Sequence, residues 1–453
     1  MKRTWLVVPD PLSARIFFDC GIAAGLRDRL GERLTTVFLL DRERAEPWRA
    51  TLDGTPVAYE DELFPARVGT AERVRRRADI WLDRKVGFYP LAIRFNLRHG
   101  FHAERMHPGH PNLALNSSLV GPLPRWEPVE QAMQAWLYSP RRYTASTLRE
   151  RMRRECDAVV FSNVQTQPAV RFLVAARRLG LPVVGYVASW DHTVGKGVIP
   201  AHLERYVVQN EVMRDDLERY HGVDPRRVVV TGWPQTDVFH RRRPRGEYDA
   251  LLRAWSLDPA RPLVLVMGNT PTNAPYESRF VERLVGWWEE SRGVERFSLL
   301  FRPHPRDRDW RDRFAAALDR PGVHVQEPSY TDLDVLATLL QHGACVVANA
   351  GTILLDAIVN DRPAVCVLYD EGAPAGETWA AKNVLGEHYR QLLASEAFHR
   401  AEDFDGVVEG IESALARPEE RAEERRRVVA AVVGDVDGRA AERVVDAIAA
   451  VVA

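Results

Sequence analysis

The chain alternates short, near-continuous apolar runs with longer stretches whose apolar residues recur every three or four positions. "RTWLVVPD" (3–10) is a run that ends at a turn, "ARIFFDCGIAAGLRDRL" has helical spacing, and "LTTVFLLD" is a second run. The opening therefore predicts strand, helix, strand. "CDAVVFSN", "LPVVGYVAS", "RYVVQN" and "RRVVVTGWP" predict four more strands. After a Pro- and Arg-rich stretch at 234–247 the alternation restarts with "PLVLVMGNT", "FSLLFRPHP", "VHVQEPS", "ACVVANAG" and "PAVCVLYDE". Helical patterns such as "SRFVERLVGWWEESR" separate them. Runs rich in β-branched residues, with no polar alternation, belong to strands covered on both faces, and strand–helix alternation marks a parallel sheet.

The pattern predicts an α/β domain over 1–235, a second over 245–430 and a C-terminal helix over 431–453. Two open α/β domains joined by a linker make a cleft, and ligands of such sheets bind at the carboxyl ends of the strands. "VTGWPQTD" (230–237) falls at the boundary, where backbone bends are needed, and reads as a hinge. Residues of about 60–140 fit the scheme poorly. "RKVGFYPLAIRFNLRHGFHAERMHPGHPNLALNSS" is crowded with Arg, His and aromatics and has no clean period, so it reads as an irregular insertion that shapes a substrate pocket. His99, His102, His107 and His110 match no zinc spacing and read as loop or core histidines.

Composition narrows the classes. At 453 residues the chain exceeds what one core supports. A formal net charge of −1 gives no global reason to expect nucleic acid. Four scattered cysteines (Cys20, Cys156, Cys345, Cys366) form no paired spacing and read as core thiols of a reducing compartment. "MKRTWLVVPDP" lacks the apolar stretch of a signal peptide, and no run of about eighteen apolar residues occurs. The expected location is the cytoplasm. Basic stretches with aromatics at Arg73–Trp81 and Arg141–Arg154 suit either a membrane surface, such as the inner face of the plasma membrane, or plain solvated helix faces. Nearly every basic residue is arginine; the lysines are Lys2, Lys85, Lys196 and Lys382. Genomic base composition or heat adaptation accounts for the bias, and a surviving lysine then marks a place for a point charge.

Three motifs carry chemistry. "NAGTILLDA" follows the strand "ACVVA" and opens a helix, so Gly351 allows close backbone approach and the N–H groups after Thr352 face outward with the helix dipole. That is an anion site suited to a diphosphate, with Asp356 one turn on for ribose hydroxyls; an ordinary strand-to-helix turn would look the same. "FRPHPRD" places Arg302 and His304 at another strand end of the same sheet, and hence on the same rim. Arginine offers phosphate a bidentate fork, and histidine a donor whose charge adjusts near neutral pH. "SWDHTVGKG" sets Asp191, His192 and Lys196 just past a first-domain strand. Asp191 or His192 can take a proton from an attacking hydroxyl, and Lys196 can hold an anion. No GxxxxGK[ST], early GxGxxG, GxSxG or HExxH occurs. The D-x-D triplets at Asp332–Asp334 and Asp435–Asp437 read as chance in solvated helices, so no metal is expected.

Together "SWDHTVGKGVIP", "VTGWPQTD", "RPHP" and "NAGTILLDAIVNDRPAVCVLYD" resemble the GT-B glycosyltransferases, in particular their bacterial surface-polysaccharide and CDP-glycerol glycerophosphotransferase-like branch, over roughly residues 155–385. The resemblance implies two Rossmann-like domains facing a central cleft. It implies donor contacts for Arg302, His304, Asn349, Gly351, Thr352, Asp356 and Glu371, and catalytic roles among Asp191, His192 and Lys196. "DHTVGK" stands where the branch has H-G-T-x-x-K. Aligned on Thr193 and Lys196, the branch's His falls at Asp191 and its Gly at His192, which leaves the base open between those two.

The expected function is metal- and cofactor-independent transfer of a sugar or glycerophosphate from a UDP-, GDP- or CDP-linked donor to a hydroxyl of a cell-surface glycan or lipid-linked acceptor, with inversion. One alternative is a UDP-N-acetylhexosamine 2-epimerase, against which Leu354 and Leu355 stand where that fold-mate carries an acidic pair. The other is a non-catalytic sugar-nucleotide or polysaccharide-binding subunit.

Overall fold

The apolar runs become strands whose neighbours are all parallel. The computed structural model describes residues 2–52, 55–63, 69–101, 126–142, 144–349, 351–374 and 387–452. His102, His107 and His110 lie outside the described residues.

The first sheet holds β1 (Arg3–Val8), β2 (Leu34–Phe38), β3 (Val57–Tyr59), β4 (Cys156–Phe161), β5 (Val183–Tyr186), β6 (Arg205–Val208) and β7 (Val228–Val230). Their spatial order is β3-β2-β1-β4-β5-β6-β7. The second holds β8 (Leu263–Met267), β9 (Ser298–Arg302), β10 (Val323–Val325), β11 (Cys345–Ala348), β12 (Ala364–Val367) and β13 (His399–Ala401), ordered β10-β9-β8-β11-β12-β13. Both orders reverse direction once, between the first strand and the fourth, which is the place where open α/β sheets leave a crevice at their carboxyl edge. The expected class is the one found: two parallel-sheet α/β domains.

Helices cover the central strands on both faces, which is why β1, β8 and β11 are apolar at nearly every position. In the second domain Val264 and Val266 of β8 pack with Val281, Leu284 and Trp288 of the helix Glu277–Glu290. Each such side chain buried contributes about 1.5–3 kcal/mol. Two edge strands, β3 ("VAY") and β13 ("HRA"), lie outside the predicted runs; β13 is polar at two of its three positions.

The insertion differs from its expected irregularity. It is helical at Thr70–Lys85, Phe88–Arg98 and Glu127–Leu137. The inward face of Thr70–Lys85 is built from charge rather than from an apolar stripe: Asp79 and Asp83 both accept from buried Arg142, which explains the missing period. Asp332 and Asp334 are likewise paired, with Arg302 and Arg243, and form no metal cluster; among the described residues no group of three or more potential ligands occurs.

The chain divides into two units, the described residues up to Asp237 with Arg439 onward, and Val238–Gly438. The tail runs through a helix at Ala422–Val428 and a π-turn to Val433, breaks at Gly434 and Gly438 (φ +84° and +76°), and resumes as the helix Ala440–Val452. That closing helix belongs to the first unit, where Val445 lies against Gly25 of the helix Ile22–Leu30 and Asp446 pairs with Arg29 at 2.6 Å. Asp237 accepts from the N–H groups of Ala440 (3.0 Å) and Ala441 (2.7 Å), capping the closing helix.

Candidate active site

In the second domain β9 and β11 flank β8, so the "RPHP" loop and the "NAG" turn leave one rim on either side of it, about 10 Å apart by strand spacing. Gly268, at the end of β8, makes this arrangement possible: a Cβ there would stand 2.8 Å from the Phe314 ring and 3.1 Å from Cα of Pro303. Past it, Asn269 donates from Nδ2 to Oδ1 of Asn349 at 2.8 Å, joining the ends of β8 and β11 at the reversal. A recess of about 450 Å³, mouth included, opens beside this pair toward the helix Glu277–Glu290. Gly268, Tyr276, Phe280, Asn349, Tyr369 and Glu371 are among its walls.

Arg302 is held rather than loose. Its guanidinium donates to Gln326 (2.5 Å) and Asp332 (2.7 Å), and Gln326 donates to Asp332 at 3.0 Å, closing a triangle. His304 accepts the Arg306 N–H on Nδ1 at 3.0 Å, which puts the ring proton of the neutral form on Nε2. Arg306 and Arg308 beside it are exposed and have no ion pair among the described residues. Beneath the loop, Arg313 donates to Asp307, to the carbonyls of Asn269 (3.0 Å) and Ala274 (2.7 Å), and to Glu277 (2.7 Å). Glu277 also accepts the Asn269 N–H at 2.8 Å. One buried guanidinium thus serves two carboxylates, and burial pushes Glu277 up to about 8 despite Arg313.

On the far side of β8, the Tyr389 hydroxyl accepts the Gly351 N–H and donates to the Gly351 carbonyl at 2.7 Å. Thr352 precedes the helix Ile353–Val359 and makes no side-chain capping bond; Asp356 is buried within that helix. Glu371 accepts a bifurcated pair from Arg283 (2.8 and 2.9 Å) and the Tyr369 hydroxyl (3.1 Å). The seven residues expected to contact a donor therefore stand at or just past the carboxyl edge of β9, β11 and β12, except that Asp356 is buried.

The first-domain motif follows β5 and contains one helical turn, His192–Gly195, flanked by Asp191 and Lys196. Asp191 pairs with Lys196 at 3.3 Å and accepts from the Ser189 hydroxyl at 2.5 Å. His192 is buried, and its Nδ1 has no hydrogen-bond partner. Burial holds its pKa below the ordinary imidazole value, while Asp191 and Asp10 pull the other way. Gly197 (φ +99°) closes the loop; a Cβ would fall 2.4 Å from that of Ala92. Gln165 donates to the Gly197 carbonyl at 2.5 Å, and Thr193 to Asp216 at 2.7 Å.

Sequence reasoning missed three of these supports. His221 accepts the Ile199 N–H on Nδ1 (2.9 Å) and bonds the Thr193 carbonyl through Nε2 (2.7 Å), tying both ends of the loop. Asp10, at the end of β1, accepts from Asn163 past β4 at 2.9 Å, the first-sheet counterpart of the Asn269–Asn349 pair. Arg313 is the third. A signal existed only for Asp10, a carboxylate ending a βαβ opening; the others act across long sequence separations.

Residues 196–450 match the family model described as CDP-Glycerol:Poly(glycerophosphate) glycerophosphotransferase. The match begins at Lys196, so it includes the seven residues expected to contact a donor and leaves Asp191 and His192 just before it. No curated protein matches the chain. Among solved structures the chain is similar to UDP-GlcNAc 2-epimerase from Neisseria meningitidis bound to UDP-GlcNAc, at 13% identity and TM-score 0.55 over 98% of this chain and 99% of that one. It is also similar to the S. aureus MnaA–UDP co-structure, at 11% identity and TM-score 0.56 over 99% and 96%. These likenesses show a fold of the GT-B kind.

Proposed function

The chain belongs to the CDP-glycerol:poly(glycerophosphate) glycerophosphotransferase family, and on that premise we propose that it transfers glycerophosphate, or a sugar, from a nucleotide-diphosphate donor to a hydroxyl of a cell-surface glycan or lipid-linked acceptor. The observation that carries the reading is the second-domain rim: a cation-bearing loop and a small-residue turn flank a recess at the reversal of the sheet. The recess takes the nucleoside, and Arg302, the Nε2–H of His304 and the turn at Gly351–Thr352 hold the diphosphate. With CDP-glycerol, the acceptor oxygen attacks the glycerol-bearing phosphorus, the bond to the bridging oxygen breaks, and CMP leaves with the electron pair. With a nucleotide sugar the oxygen attacks the anomeric carbon from the opposite face, and the nucleoside diphosphate leaves. Fixed cations offset the leaving charge, so no divalent ion is required.

His192 is the base in this reading. It is neutral because it is buried, its Nδ1 lone pair is unspent, and Asp10 and Asp191 stabilise the imidazolium formed as the proton arrives. Asp191 is the poorer base because its charge is already engaged by Lys196 and Ser189. A reducing cytoplasm suits the four buried free cysteines.

The test is product analysis with each of CDP-glycerol, UDP-, GDP- and CDP-sugars, with and without EDTA. Release of CMP identifies glycerophosphate transfer, and release of a nucleoside diphosphate identifies sugar transfer. Turnover of a UDP-N-acetylhexosamine without acceptor would replace the transferase reading with the epimerase one, and binding without turnover would leave only a binding subunit. Removing Arg302 or His304 (to Ala) is expected to lower turnover on the order of a hundredfold.

A further inference from the structure

Seven amide side chains are buried among the described residues. In four of them the side-chain carbonyl oxygen accepts a hydrogen bond: Asn163 from the Gln165 N–H (3.2 Å), Asn210 from the Met213 N–H (2.8 Å), Gln235 from Arg15 (2.5 Å) and Asn269 from the Thr270 N–H (2.8 Å). In the other three, Asn96, Gln165 and Gln209, that oxygen has no partner among the described residues.

The same three amides donate to the segment that carries His192. Asn96 donates to the Gly195 carbonyl (3.3 Å), Gln165 to that of Gly197 (2.5 Å) and Gln209 to that of Ala188 (3.3 Å). They come from separate places in the first domain: the helix Phe88–Arg98, the turn after β4 and the end of β6. No local turn motif explains the set. His192 adds a fourth unspent acceptor, Nδ1, and the four residues are only 4–7% exposed. A buried acceptor left unpaired costs stability, so four around one short segment point to a ligand that brings the protons.

The chemistry of that ligand follows from what the groups lack. An anion brings no proton to four acceptors. A cation would need charge, and Asp191, the one carboxylate between Ala188 and Gly197, is already engaged by Lys196 and Ser189. Hydroxyls supply protons, and neutral amides receive them without adding negative charge beside an anionic donor. We propose that Asn96, Gln165 and Gln209 are specificity-determining residues for the acceptor: their oxygens accept from neighbouring hydroxyls of a polyol while the attacking hydroxyl meets Nδ1 of His192. An acceptor with an isolated hydroxyl reaches the base but leaves the amides unpaired, and is rejected for that reason. The inference rests on the reading of the reaction given above.

The test is saturation-transfer NMR of the full chain, without any donor, against glycerol, propane-1,2-diol and propan-1-ol. The wild type is expected to bind them in that order, about fivefold weaker for each hydroxyl removed. Gln165→Met and Gln209→Met are each expected to erase one step of the series, so that two neighbouring alcohols bind alike. A purely structural role would instead weaken all three by one factor, which overturns the proposal. Dichroism and melting verify each fold, and Asn96→Leu serves in place of a methionine variant that fails to fold. No binding by the wild type, or equal binding of the three alcohols, overturns the proposal without any variant. A chain that binds the series as expected but transfers nothing from any donor keeps this polyol site and loses the transferase reading. One that transfers equally well to isolated and vicinal hydroxyls keeps that reading and loses the site.

Discussion

His221 carries no chemistry in the proposed reaction, yet both its ring nitrogens are spent on the loop that does. Burial pushes it down to about 4. Its folded value lies below the unfolded one, so its contribution is present above the ordinary imidazole pKa and is lost as pH falls from ~6.5 toward 4. The midpoint of urea unfolding is expected to drop across that window, and His221→Phe to lose that part of the slope at the cost of lower stability at neutral pH. Glu277 titrates with the opposite sign. Its folded value, about 8, lies above the unfolded one, so its neutral form favours folding below ~4.5 and the benefit is lost as pH rises through 8. Glu277→Gln should flatten the same curve between ~4.5 and 8. At Gly197 both the backbone angle and the space forbid a side chain, and Gly197→Ala is expected to cost roughly 2–5 kcal/mol in a denaturant titration. Of the site, Asp191, Lys196 and the "RPHP" loop were legible because each is a local cluster of unlike charge or rigid turn. His221 and Arg313 were not, since their value lies in partners such as Thr193 and Asn269, brought near only by the fold.

At the scale of elements, strand runs were legible wherever a strand is covered on both faces, because burial removes every polar position at once. The same logic hid the insertion's helix Thr70–Lys85, whose inward face is satisfied by Arg142 and its two aspartates, so no apolar period marks it. Three-residue edge strands were read in two of four cases: β7 and β10 showed as "VVV" and "VHV", whereas β3 and β13 did not. The packing of elements also sets what each loop can do. Gly268 lets β8 end directly beneath Pro303, and the Arg313 cluster fixes that loop from below, so the loop's position depends on the absence of one methyl group. Gly268→Ala is expected to raise KM for the donor or lower turnover roughly ten- to hundredfold while the fold, followed by dichroism, persists. An unchanged rate would mean that the loop tolerates displacement and that its cations do not position the diphosphate.

Across the whole chain, the first unit is discontinuous: it is built from residues on both sides of the second. Asp237 stands at the first crossing and holds Ala440 and Ala441 just after the second. The sequence offered "VTGWPQTD" as a bend and the tail as a charged helix; that one carboxylate joins them across some two hundred positions has no local signature. Asp237→Ala is expected to lower stability by about 1–2 kcal/mol, read as an earlier loss of the first unit in thermal unfolding. The discontinuity also orders events during translation. The helix Ile22–Leu30 leaves the ribosome before any of the second unit, but the residues that cover it, Val445 and Asp446, are made only after that unit. The nascent first domain must therefore wait, with that face uncovered, while the second is synthesised, and a chain stopped anywhere before Ala440 should be bound by chaperones and degraded although its "RPHP" loop and recess are already complete.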